Sequence, residues 1–157
     1  MLHLQSSPLS KLLEAGRYGV VIDAVNERNF GRAEQLFEGG ESRVFAFEHR
    51  TQFFETREVI NLMGAEGYRP ARLGDLLRYR INHARDRMIP KLVALDAVFK
   101  SGDRNAALCL CGRMRPGVVD LLGVLRDDDW EPDTRFLGVR LPPGTVFHPI
   151  PIDRRLL

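Results

Sequence analysis

Few residues in this 157-residue chain have the types and spacing for covalent chemistry. Cys109 and Cys111 are its two cysteines, with Leu110 between them. Side chains alternate along an extended strand, so both sulfurs would share one face. A zinc centre needs two further ligands at suitable spacing. The four histidines, His3, His49, His83 and His148, supply no C-x-x-C or H-x-x-x-H partner. Two buried structural thiols in a reducing compartment are therefore expected, and no metal or cofactor. There is no G-x-S-x-G, no C-x-x-C and no glycine-rich phosphate loop, so nucleophilic catalysis and P-loop chemistry lack a motif. His49, Glu48 and Asp96 would make an acid–base set only if the fold gathered them. Taken singly, they are surface or strand-end positions.

Two charged sets carry binding chemistry instead. Asp127-Asp128-Asp129-Trp130-Glu131-Pro132-Asp133 packs five carboxylates into seven positions. Calcium wants six to eight oxygens, but the D-x-[DN]-x-[DN]-G pattern is absent and a solvated acidic turn is the simpler reading. Trp130, the single tryptophan, is either a core plug or an exposed contact beside that turn. Arg69, Arg72, Arg78, Arg80, Arg85 and Arg87 fall within 19 residues, interleaved with Tyr68 and Tyr79 and opposed only by Asp75 and Asp86. Such a run suits a nucleic-acid backbone or a phosphate. The alternative is a solvated helix face, and a formal net charge of +2 is small for a polyanion partner. Arginine supplies twenty of the 23 basic residues. That suits bidentate anion contacts, although coding bias is the plainer cause.

The elements that must position these residues follow from pattern. Ser7-Pro8 before LSKLLEAG predicts a helix capped by Ser7 and ended by Gly16. GVVIDAV (19–25) suits a strand or the start of a helix, and NFGRAEQLFEGG (29–40) a short helix. SRVFAFEHR (42–50) alternates as a strand does. REVINLMGAEG after Thr56 predicts an amphipathic helix closing at Gly64 or Gly67, and Pro70 then fits the first turn of a second helix carrying Leu73, Leu76, Leu77 and Ile81. KLVALDAVF (91–99), AALCLC (106–111), VVDLLGVL (118–125) and RFLGVRL (135–141) are short apolar runs separated by turn signals, the mark of an antiparallel meander. The tail PPGTVFHPIPIDRRLL is extended and packs across the domain or onto a partner.

The expected class is α+β, with helices beside a small antiparallel meander sheet, in one domain over 1–157. Residues 1–41 would form a helical extension, 42–141 the core and 142–157 the tail. No apolar run reaches the roughly 18 residues that span a bilayer. The N-terminus lacks a basic-then-apolar leader, so a cytoplasmic location without membrane contact is expected.

Two landmarks together carry a family resemblance. GYRPARLGDLL (67–77) resembles the G-[YW]-R-L-P-T-x-x-E-[WL] step of formylglycine-generating-enzyme-like and bacterial C-type-lectin-like domains, and RFLGVRL resembles their closing [FR]-x-x-V-R strand. The likeness spans about Ser42 to Leu141 and extends to a group of small bacterial proteins with similar landmarks. It implies a C-type-lectin-like scaffold. Pro70 follows Arg69 directly where the family has an intervening leucine, and Asp75 stands where glutamate is common. Cys109 and Cys111 are too close to match the paired catalytic cysteines, and no E-P-N or W-N-D triplet for sugar and calcium occurs. The resemblance therefore implies the scaffold without its chemistry. The expected function is a binding module without catalysis. Its ligand would be a protein partner or a small molecule, held by the loops of the strand-rich half through Arg113, Arg115, Asp127, Asp128, Asp129 and Trp130. The alternative is nucleic-acid or phosphate binding through the Arg69–Arg87 run.

Overall fold

Local chemistry fixes the ends of the helices. The computed structural model describes residues 7–37, 40–47, 54–85, 91–113, 117–126 and 129–151. In α1 (Pro8–Gly16) the Ser7 hydroxyl accepts the Ser10 N–H at 3.0 Å, and Pro8 sits where no N–H is needed. The helix ends at Gly16 as expected, but the cap residue is Arg17, and it is Arg17 that takes the left-handed conformation (φ 49°). Gly16 makes room for a neighbour instead, since the Tyr18 ring occupies the space a Cβ would take there. The segment 19–40 holds two single-turn helices, α2 (Glu27–Phe30) and α3 (Ala33–Leu36). Strand β1 (Ser42–Ala46) precedes α4 (Thr56–Ala65), where Glu58 accepts the Glu55 N–H at 3.3 Å.

Gly67, at φ 85°, turns the chain out of α4. It leads into a short strand, β2 (Tyr68–Pro70), and α5 (Leu73–Asn82) starts only after it. Pro70 is thus a strand residue and not a helix starter. The reason lies in the ladder with β6 (Arg135–Arg140). Leu141 N–H donates to Gly67 O, and Ala71 N–H to Leu137 O, so the bonded positions are odd-numbered and the missing N–H of Pro70 falls between them.

Strands β3 (Leu92–Ser101), β4 (Arg104–Gly112) and β5 (Val119–Leu125) form the expected antiparallel meander. The fourth run departs from it. β6 lies beside β3 and parallel to it (Leu92 opposite Arg135, Val93 opposite Phe136), giving a mixed sheet of order β1-β6-β3-β4-β5 with β2 also on β6. The far edge of β5 is already filled by residues 19–22, through Gly19 N–H to Val119 O, Leu121 N–H to Val20 O and Ile22 N–H to Leu121 O.

Strand alternation divides the core into two layers. Leu92, Ala94, Leu108, Leu110, Leu121, Leu137 and Val139 face α5 together with Leu9, Phe30 and Leu36 of the N-terminal segment. Val93, Leu95, Ala107, Cys109 and Phe136 face α4 with Trp130. Helices therefore cover both faces, where grouping beside the sheet was expected. Gly74 admits this packing: a Cβ there would stand 2.7 Å from Leu36 Cα. The described part of the tail, 142–151, packs across the domain. Asn61 exchanges two hydrogen bonds with Ile150 (2.8 and 2.7 Å), and Phe147 lies on Gly64 of α4. Among the described residues no helix is long and apolar enough to cross a membrane.

Candidate functional site

Trp130 is an anchor around which a cleft forms. Its backbone pairs with Phe54 in both directions (2.8 and 3.2 Å), and its indole N–H donates to Thr56 Oγ1 at 2.8 Å. Thr56 in turn donates to Arg126 O at 2.7 Å. The ring meets Phe136 edge-on at 5.2 Å, and only 4% of Trp130 is exposed. These contacts tie the 129–134 loop to the start of α4 and the end of β5. Beside Trp130 lies an open cleft of about 250 Å³, lined by Lys91, Val124, Leu125, Asp129, Glu131 and Thr134. Lys91 arrives at the start of β3 and is held by Arg135 N–H donating to its carbonyl at 3.2 Å. One cation and two carboxylates thus border an apolar floor. Among the described residues the Lys91, Asp129 and Glu131 side chains form no hydrogen bond or ion pair.

The arginine corner is built differently. Arg69 in β2 donates to Asp75 Oδ2 at 3.2 Å and to Pro70 O at 3.0 Å, and the Asp75 carboxylate also accepts the Arg72 N–H at 3.0 Å. The Asp75 side chain is 4% exposed and that of Arg69 17%. Arg72 reaches Glu34 O and Arg126 reaches Leu95 O. Asp96 sits among them on a bulge, where β3 carries Leu95, Asp96 and Ala97 between its pairings Ala94–Leu108 and Val98–Ala107. Its N–H bonds Ala71 O at 3.0 Å, which stitches β2 to β3. Burial pushes the Asp96 carboxyl above the usual carboxylate range, against the pull of Arg126, Arg69 and Arg72. A perturbed carboxyl among guanidiniums is a site candidate on chemical grounds. Here the guanidiniums are already spent on backbone carbonyls and Asp75.

The remaining candidates scatter. Arg113 pairs with Asp120 at 2.7 Å, at the far end of β5 from the cleft. Asp129 and Trp130 meet at the cleft. Arg115, Asp127, Asp128, Arg87, His49 and Glu48 lie outside the described residues. The arginine run does not make one exposed face. Arg80 is 3% exposed and turned inward, donating to Gly16 O and Gly117 O, while Arg78 is half-buried and Arg85 exposed. Nothing local in the sequence marks Lys91, Thr134, Val124 or Leu125, because each is a single residue within an ordinary strand or turn. Among the described residues no three His, Cys, Asp or Glu groups gather to hold a metal ion. Comparison with known proteins gives no match to any family model, any curated protein or any solved structure.

Proposed function

We propose that the chain is a binding module without catalytic activity, on a C-type-lectin-like scaffold, with its ligand in the cleft beside Trp130. The scaffold reading is supported by the two landmark segments, which pair edge to edge: Tyr68 opposite Arg140, Arg69 opposite Val139. The observation that carries the functional reading is a set of charges without ion pairs among the described residues, Lys91 against Asp129 and Glu131, around a floor of Val124 and Leu125. A volume of about 250 Å³ lies below the roughly 300–1,000 Å³ of drug-sized pockets. It suits one amino-acid-sized group. Opposite charges over an apolar floor select a zwitterion with an aliphatic body, either a free amino acid or a peptide end.

Trp130 is the only tryptophan and lines the cleft, so its fluorescence reports occupancy directly. Titration with free aliphatic amino acids and with dipeptides should give a saturable change. Asp129→Ala and Lys91→Ala should each abolish it. A flat response across the whole panel would reject the reading. Retention on heparin with a steep salt dependence that vanishes with Arg69, Arg72 and Arg85 would replace it with the nucleic-acid or phosphate alternative.

A further inference from the structure

Cys109 and Cys111 do share one face of β4, with their sulfurs 3.5 Å apart. They are not equivalent. Cys109 is fully buried, packed with Val93, Leu95 and Ala107, while Cys111 is half-buried at the margin of the same layer. The sheet register sets Cys111 opposite Asp120 on β5, and one step beyond Leu92–Leu110 it brings Lys91 to its other side. A structural thiol pair would have both sulfurs sealed in apolar packing. This pair has one sealed sulfur and one at the edge beside an ammonium.

We propose that Cys111 and Cys109 form a redox-active dithiol, in which Cys111 attacks a hydroperoxide and Cys109 resolves the product to a disulfide within β4. The Cys111 thiolate takes the terminal oxygen as the O–O bond breaks, and the alcohol leaves with a proton, giving a sulfenic acid. The Cys109 sulfur then attacks the Cys111 sulfur. Hydroxide departs as water with the Cys109 proton, so two thiols lose two electrons and the peroxide gains them. The division of labour follows the local chemistry. Hydrogen bonding from Cys109 brings the Cys111 thiol down to about 7, with Lys91 helping and burial and Asp120 opposing. That same bond, then burial, holds the Cys109 thiol far up. Oxidation of Cys111 removes the thiolate that holds this bond and repels a second negative charge, so that burial alone still opposes ionisation of the resolving Cys109.

The geometry also makes the product reversible. Residues two apart on a strand have Cα atoms about 6.6 Å apart, at the long end of the 4.4–6.8 Å that disulfides span. A bond so placed is among the more readily reduced ones. This proposal is independent of the cleft's ligand, although Lys91 borders both sites.

The test starts from the fully reduced native protein, treated with equimolar hydrogen peroxide, unfolded in an alkylating agent and weighed intact. The expected product has no alkylatable thiol and has lost about two mass units, one per thiol hydrogen. In Cys109→Ser, dimedone should label residue 111 and no such loss should occur. In Cys111→Ser, Cys109 should stay alkylatable after unfolding. Two intact thiols in the peroxide-treated wild type would overturn the proposal, as would disulfides formed only between chains. The wild-type mass is decisive whether or not either variant folds.

Discussion

The arginine corner and the Trp130 cleft both gather charges of opposite sign and use them in opposite ways. At the corner Arg69, Arg72, Asp75 and Arg126 satisfy one another and nearby carbonyls, and Asp75 is all but sealed. At the cleft Lys91, Asp129 and Glu131 face open space. A buried charged group must be paired to be tolerated, whereas an exposed one can stay available. Clustered charge is therefore no pointer to a binding site until its pairing is known. The denser cluster here is architecture, holding β2, the start of α5 and the β3 bulge in register.

The difference between the two regions shows most at Asp75. Asp75→Ala removes the partner of Arg69 and the acceptor of the Arg72 N–H, and should destabilise by about 3 kcal/mol, measured by denaturant unfolding. A change under about 0.5 kcal/mol would mean that the corner is a solvated charge cluster after all. Thr56→Val comes next. It leaves the buried Trp130 indole N–H without an acceptor, a loss of about 1–3 kcal/mol, and it should shift the tryptophan emission as the 129–134 loop loosens. Lys91→Ala, Asp129→Ala and Glu131→Ala belong to the open region. Each should change stability by no more than about 0.5 kcal/mol while removing the amino-acid response.

The smallest effect is at Asp96, between the two regimes. Its folded carboxyl titrates above the ordinary range, so the native state holds that proton more tightly than the unfolded chain does. The stability this provides is complete below the ordinary carboxylate value and is lost as pH rises through the raised one. A neutral amide in its place would mimic the protonated form at every pH. Asp96→Asn should therefore raise the melting temperature slightly at pH 7 relative to wild type, with the difference closing towards pH 4. The opposite order would show that Arg69, Arg72 and Arg126 need the negative charge.

How much of this was legible in the residues follows range of interaction. SRVFAFEHR, KLVALDAVF, AALCLC and RFLGVRL announce their strands because alternation or an apolar run is a local signal. Ser7 and Gly67 mark helix ends for the same reason. The position of β6 was not legible. Whether a strand joins β5 or crosses to β3 depends on residues 19–22, over 110 positions away, which fill the β5 edge. Pro70 does not mark its own element, because a proline fits a first helical turn and an unbonded strand position equally well. Of the cleft, Asp129 and Trp130 stood out as an acidic turn with an aromatic. Lys91, about forty residues earlier, is brought to them only by the β3–β6 pairing. Asp96 reads locally as a surface or strand-end residue, and nothing near it marks the bulge it occupies, since a bulge is set by the partner strand.

The most direct test of the division between architecture and site is a set of thermal melts with and without a saturating aliphatic amino acid. A ligand bound only by the native state raises the melting temperature by mass action. The wild type should shift, and Asp129→Ala/Glu131→Ala should melt at the unliganded wild-type temperature and not shift. Arg69→Ala should melt lower but keep its shift. A double variant that still shifts, with a shift abolished by Arg69→Ala, would contradict the account and move the binding site to the corner.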